Sequence, residues 1–262
     1  MKLNLEGKSA LVAASSKGLG FACADALAGE SANITICARG EDALAKAVSK
    51  LTSSHPGVLV ASRQADLGTA EGVESVVDAA VQTYGKIDIL VTNVGGPPRG
   101  PFSAFDDDAW ASAVEVTIMP VVRLIRACLH HMPDGGAIVN IQSSAVKEPI
   151  PDLLLSNTLR PAILGMSKTL SRELGKRNIR INTVAPGSFD TDRIHMLIRK
   201  RAEENGITEA EEEKNLAARA ALGRIGKPSE LGSLVAFLAS DAAGYITGQT
   251  IFCDGGMTAF SF

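Results

Sequence analysis

Ser9-Ala10-Leu11-Val12-Ala13-Ala14-Ser15-Ser16-Lys17-Gly18-Leu19-Gly20 is the stretch on which the fold turns. Its first five residues form an apolar run of the length of one buried strand. Its end places two glycines just before Phe21–Glu30, where the pattern becomes helical. Glycines at a strand-to-helix turn let the backbone come close to a ligand. The helix start adds free N–H groups and partial positive charge, so such a turn suits a pyrophosphate. Two glycines alone would also suit an ordinary tight turn.

Working outward, the alternation repeats. Strands are predicted over Ala32–Ala38, Val58–Gln64, Ile87–Val91, Ala137–Ile141, Arg180–Val184 and Thr250–Cys253. Helical stretches separate them at Glu41–Ser53, Thr69–Tyr84, Pro228–Ser240 and much of Ser156–Lys176. Asp106–His131 reads as one long helix, with Asp106 or Asp107 as N-cap. This order predicts an α/β, Rossmann-type, doubly wound parallel sheet of about seven strands with helices on both faces. No linker or repeat divides residues 1–262, which read as one dinucleotide-binding domain. The departure is Thr191–Leu222, helical in period and rich in charge. It reads either as a solvated excursion or as a helical lid over a site at the carboxyl edge of the sheet.

Composition narrows the function classes. The 262 residues are 45% apolar and 21% charged, enough for one large core without disulfides or metals. A net charge of −3 leaves no electrostatic footprint for nucleic acid. No apolar run reaches the roughly 18 residues of a membrane span. Met1–Lys8 is too polar for a secretory leader, and Cys23, Cys37, Cys128 and Cys253 show no zinc or redox spacing. The expectation is a cytoplasmic protein with free thiols.

Further landmarks follow in order. Asp66-Leu67 follows the third strand, Thr92-Asn93-Val94-Gly95 the fourth and Asn140-Ile141-Gln142-Ser143 the fifth. Asn182-Thr183-Val184-Ala185-Pro186-Gly187 and Thr191 close the sixth, and Tyr245-Ile246-Thr247-Gly248-Gln249 and Asp254-Gly255-Gly256 lie near the end. With the phosphate loop, this set resembles the short-chain dehydrogenases/reductases over nearly the whole chain. Among their branches it looks most like the bacterial 3-oxoacyl-carrier-protein reductases. The resemblance implies a nicotinamide cofactor, a small-molecule substrate and self-association to a dimer or tetramer, with a homotetramer expected. Leu164, Leu231, Val235 and Leu238 suit either a core face or such an interface.

By motif position, the resemblance assigns Ser15, Ser16, Lys17, Gly18, Leu19 and Gly20 to the cofactor phosphates. Asp66 and Leu67 go to the adenine edge and Asn93 and Gly95 to the adenosine ribose. Pro186, Gly187, Ser188, Phe189 and Thr191 go to the nicotinamide end. A carboxylate closing the second strand would select NAD through the ribose 2′-hydroxyl. Here Cys37-Ala38-Arg39 stands instead. Arg39 and Lys17 together suit a 2′-phosphate, so NADP is expected over NAD.

The catalytic set departs from the family. Its usual chemistry uses Asn, Ser, Tyr and a Lys four residues after the Tyr. Neither tyrosine, Tyr84 nor Tyr245, stands at that position. The family interval from Ser143 lands on Ser156, and four further on Arg160, so Tyr-x-x-x-Lys reads Ser156-Asn157-Thr158-Leu159-Arg160. The family Asn corresponds to Thr117 and the first loop glycine to Ala14. The catalytic candidates are therefore Ser143, Ser156 and Arg160, the last also a cofactor contact.

A serine hydroxyl is a far weaker proton donor than a phenol of pKa about 10, and arginine stays charged. Pro161 implies that the helix either starts near Arg160 or kinks there. Lys147, Glu148 and His195 are candidate replacement acids or plain solvated side chains. Leu153, Leu154 and Leu155 suit a substrate wall or core. Asp106-Asp107-Asp108 reads as a helix start rather than a metal site, and no metal is expected.

The sequence thus points to an NADP(H)-dependent oxidoreductase acting on a carbonyl, alcohol or imine with a non-standard proton source. Two alternatives stay open: a catalytically silent nucleotide-binding protein, and a non-redox reaction on the same scaffold.

Overall fold

The computed structural model describes residues 2–260. Seven strands form one sheet: β1 (Ser9–Val12), β2 (Asn33–Ala38), β3 (Val60–Gln64), β4 (Ile89–Thr92), β5 (Ala137–Ile141), β6 (Arg180–Pro186) and β7 (Thr250–Cys253). Their order is β3-β2-β1-β4-β5-β6-β7. Every pairing is parallel. The order reverses between β1 and β4, and the crevice at such a switch point is where ligands bind in this architecture.

The helices are α1 (Gly18–Gly29), α2 (Glu41–Ser54), α3 (Ala70–Tyr84), α4 (Asp107–Thr117), α5 (Met119–Leu129), α6 (Leu154–Leu174), α7 (Asp192–Asn205), α8 (Glu209–Ala218) and α9 (Pro228–Ala239). Strand alternation divides the core. Ala10, Val12, Ile34, Ile36, Val91 and Val139 pack with α1, α2 and α9 on one face. Leu11, Cys37, Leu90, Ile138 and Ile181 pack with α3, α5 and α6 on the other. Burying each large apolar side chain contributes about 1.5–3 kcal/mol. Leu231, Val235 and Leu238 are buried core residues, while Leu164 is half-buried.

Two expectations are corrected. The stretch 106–131 is two helices, not one. Pro120 lies in the first turn of α5, where its missing N–H costs nothing but its ring cannot continue α4. Asp106 caps α4 by accepting a hydrogen bond from Ala109 N at 2.9 Å. Next, α1 begins at Gly18 rather than Phe21, so Gly18, Leu19 and Gly20 form its first turn. Of the two readings open for the leucines at 153–155, Leu155 is fully buried core while Leu153 lines a cavity.

The helix does not start near Arg160: α6 begins at Leu154 and contains Pro161, which leaves the Asn157 carbonyl without its helical donor. The Thr191–Leu222 excursion folds as α7 and α8. Between them, Gly206 ends α7 in the left-handed region, and Thr208 and Glu211 form a capping box. Among the described residues no helix is long and apolar enough to cross a membrane.

Candidate active site

The site begins at the carboxyl end of β1. Ala14 holds φ +47°, a left-handed conformation that strains a residue with a Cβ. Its carbonyl accepts from Asn93 Nδ2 at 3.2 Å, tying the loop after β4 to the loop after β1. A Cβ at Gly20 would lie 2.4 Å from the Ala14 carbonyl oxygen and 2.8 Å from Asn93 Nδ2. Gly20 therefore permits this close packing of helix, loop and side chain. Ser15 turns inward: its Oγ donates to Val12 O at 2.6 Å and accepts weakly from Cys37 N. Lys17 is the α1 N-cap, and its side chain makes no capping bond. The first-turn N–H groups of α1 have no intrahelical partner.

A cavity of about 660 Å³ opens from there. Ser16 and Lys17 line one end, Cys37, Arg39 and Gly40 follow, then Asp66 and Leu67, then Asn93 to Pro98. Arg39 thus faces the cavity at the end of β2, and Asp66 accepts from Gly68 N in a local turn. Burial pushes the Cys37 thiol up to about 11, partly offset by a hydrogen bond with the Ala14 backbone, so it is an inert wall. Lys17 Nζ also lies 3.9 Å from Asp192 Oδ2, an exposed pair at the start of α7.

A second cavity of about 370 Å³ is lined in part by Arg193, whose guanidinium packs against Gly96 of the first. Ser143, Ser144, Leu153 and Pro186 to Ser188 form its floor, and α7 covers it. Ser143 Oγ accepts from Ala145 N at 3.2 Å, which leaves its own hydrogen free to donate. Between the cavities sits Arg160, buried on α6. Its Nε donates to Ser156 Oγ at 3.4 Å, Nη1 to Gln142 Oε1 at 3.3 Å and Nη2 to Gly95 O at 3.1 Å. Burial, and secondarily the charge of Arg193, push the Arg160 guanidinium down to about 10.

The sequence candidates therefore separate. Ser16, Lys17, Arg39, Asp66, Leu67, Asn93 and Gly95 line the first cavity, and Ser143, Pro186, Gly187 and Ser188 the second. Ser156 and Arg160 line neither and are buried against each other. Phe189 is turned into the core against Gly226. Leu19 also packs toward the core, and Thr191 lies against Gly18. His195 pairs with Asp190 at 2.7 Å, Glu148 accepts from Ala259 N, and Lys147 lies over the Phe260 ring. None of these three lines the second cavity.

The chain matches the family model described as Enoyl-(Acyl carrier protein) reductase over residues 13–258. It is 34% identical to dehydrogenase/reductase SDR family member 4 of Bos taurus, over 96% of this chain and 88% of that one. An uncharacterized oxidoreductase of Methylorubrum extorquens is 34% identical over 97% and 98%. The chain belongs to the short-chain dehydrogenase/reductase family. Among solved members, L-sorbose reductase of Gluconobacter frateurii, complexed with NADPH and L-sorbose, superposes with a TM-score of 0.95 at 32% identity. That likeness covers 100% of both chains. The protein is thus a short-chain dehydrogenase/reductase oxidoreductase.

Against that family, the Thr117 hydroxyl is buried without a hydrogen-bond partner among the described residues, as is Gln142 Nε2. Sequence reasoning missed the cations of the second cavity: Arg99, Arg193 and Arg219, beside Lys200 and Arg201. Part of the signal was present, because positions 193, 197, 200 and 201 recur at helical spacing on one face of α7. Arg99 and Arg219 carried no local signal.

Proposed function

We propose that this chain is an NADP(H)-dependent oxidoreductase that transfers hydride to or from a carbonyl, alcohol or imine without a tyrosine acid. The observation that carries the proposal is the pair of cavities, one running from Arg39 and Lys17 to Gly96, the other lined by Ser143 and by Arg193, which packs against Gly96. The first fits an adenine dinucleotide phosphate. Its volume, the open first turn of α1 and the cation at the end of β2 suit that group, and no carboxylate closes β2. When bound, the nicotinamide supplies or accepts hydride.

The chain's own residues do the rest. The α1 N–H groups bind the pyrophosphate, and Arg39 with Lys17 meets the 2′-phosphate. Leu67 and Asp66 border the adenine, and Pro186 to Ser188 border the nicotinamide end. Arg160 lines neither cavity and commits three of its five N–H donors within the protein, so it acts by holding Gln142 and the Gly95 carbonyl that borders the first cavity. Ser143 donates its hydroxyl hydrogen to the substrate oxygen. As a relay, it passes that proton on while taking one from cavity water. Ser156 fixes Arg160 and does not itself reach substrate. An iminium substrate would need no proton. Helices α7 and α8 act as the lid.

Four free cysteines, three of them buried, favour a reducing cytoplasm. Self-association to a dimer or tetramer completes the reading.

The test is NADPH consumption with a panel of carbonyl and imine compounds, beside calorimetric binding of NADPH. Binding with turnover supports the proposal, and binding without turnover across the panel overturns its catalytic part. That second outcome favours a silent nucleotide-binding protein, for which the Arg160 contact with Gly95 is the motivating observation.

A further inference from the structure

Five cations converge on the second cavity from three separate elements. Arg99 comes from the loop after β4, Arg193, Lys200 and Arg201 from α7, and Arg219 from the end of α8. No aspartate or glutamate lines it. Two of the five are compensated nearby: Lys200 lies 3.5 Å from Glu204, and Arg201 3.7 Å from Glu212. Arg99, Arg193 and Arg219 have no ion-pair partner among the described residues. The cations also repel one another. Burial, then Arg201 and Arg193, hold Arg99 below the usual arginine range, with Asp152 and Glu204 opposing. Arg193 likewise acts on Arg160 behind it.

Like charges gathered in one concavity destabilise the protein alone and attract an anion. The cofactor phosphates do not account for them. Ser16 and Lys17 belong to the other cavity, and none of the five cations lines it. At about 370 Å³ the cavity has the size of a small-molecule site. Arginine forks match carboxylate and phosphate oxygens.

We propose that the substrate is an oxo or hydroxy compound bearing one or two anionic groups, carboxylate or phosphate, near the reacting carbon. Arg99, Arg193 and Arg219 would bind them. This rests on the oxidoreductase reading for the word substrate, but the anion site itself does not.

The experiment is calorimetry on the full chain at fixed ionic strength, with and without saturating NADP⁺. The probes are malonate, inorganic phosphate and uncharged malonamide. Malonate or phosphate should bind, the stronger of the two naming the anion, and malonamide should not. The doubly substituted Arg99→Gln/Arg219→Gln protein changes two exposed side chains. It should lose about tenfold or more in anion affinity with the first cavity filled by NADP⁺. Retained NADPH affinity or an unchanged melting temperature in the double variant shows that its fold is intact. The proposal is overturned if neither anion binds, if malonamide binds equally, or if the double substitution leaves affinity unmoved. Absent NADPH binding defeats the oxidoreductase reading separately, and the anion titrations on the protein alone then still decide the site.

Discussion

Arg160 Nε lies 3.4 Å from Ser156 Oγ, one turn back on α6, and the same guanidinium reaches Gly95 O at 3.1 Å. The two residues proposed to stand in for the family's tyrosine and lysine are thus partners of each other. Each is shaped to the other in a buried space. Ser156→Tyr alone should place a phenol where the guanidinium lies and lower stability by about 1–3 kcal/mol through overpacking. Combining it with Arg160→Lys, which removes the planar fork, should recover part of that loss. A double-mutant cycle on denaturant midpoints measures the coupling, and additivity would refute it.

Ala14 occupies the left-handed region in the loop after β1. Ala14→Gly should relieve that strain and stabilise by about 1 kcal/mol, since glycine adopts positive φ without penalty. A melting temperature higher by about 2–4 °C is the expected reading. The gain should come without loss of NADPH affinity, because Ala14 meets its neighbours through its backbone carbonyl.

Arg39 is the cation closing β2 in the first cavity. On the proposed cofactor preference, Arg39→Ala should weaken NADPH about tenfold or more and change NADH little, since only the former carries a 2′-phosphate. Parallel titrations with both cofactors check this, and equal weakening of the two would reverse the assignment.

Arg224 and Glu230 form a two-point pair, 2.9 and 2.6 Å, that also ties Glu230 to Lys227 N at the start of α9. The hydrogen bonds from Arg224, and then from the Lys227 backbone, hold the Glu230 carboxyl down at about 2 against an ordinary 4.5. A depressed acid stabilises the fold fully above its unfolded value and loses that contribution as pH falls from about 4.5 through about 2. Carboxyl NMR titration should show the low midpoint, and Arg224→Gln should move it upward. The stability gap between the wild type and Glu230→Gln should close over that same acid window.

The sequence by itself determined the strand and helix order, because β-branched runs and helical periods are local consequences of which faces are buried. The run from Ser9 to Gly20 was enough to place a strand, a turn and the start of α1, and counting from Ser143 was enough to single out Ser156 and Arg160, which the fold makes partners. The break at Thr117 was legible in principle from Pro120, but helical periodicity on both sides masked it. Tertiary structure decided the direction of side chains and the meeting of distant ones. Ser15 and Phe189 sit in the right motifs yet turn inward, since neighbouring strands and helices supply their partners. Ser156 follows the family spacing, yet packing against Arg160 keeps it out of both cavities. Arg99, Arg193 and Arg219 are each unremarkable in sequence. They come to line one cavity only because the loop after β4 and two later helices meet there. That convergence depends on the summed packing of the whole core, which no local period carries.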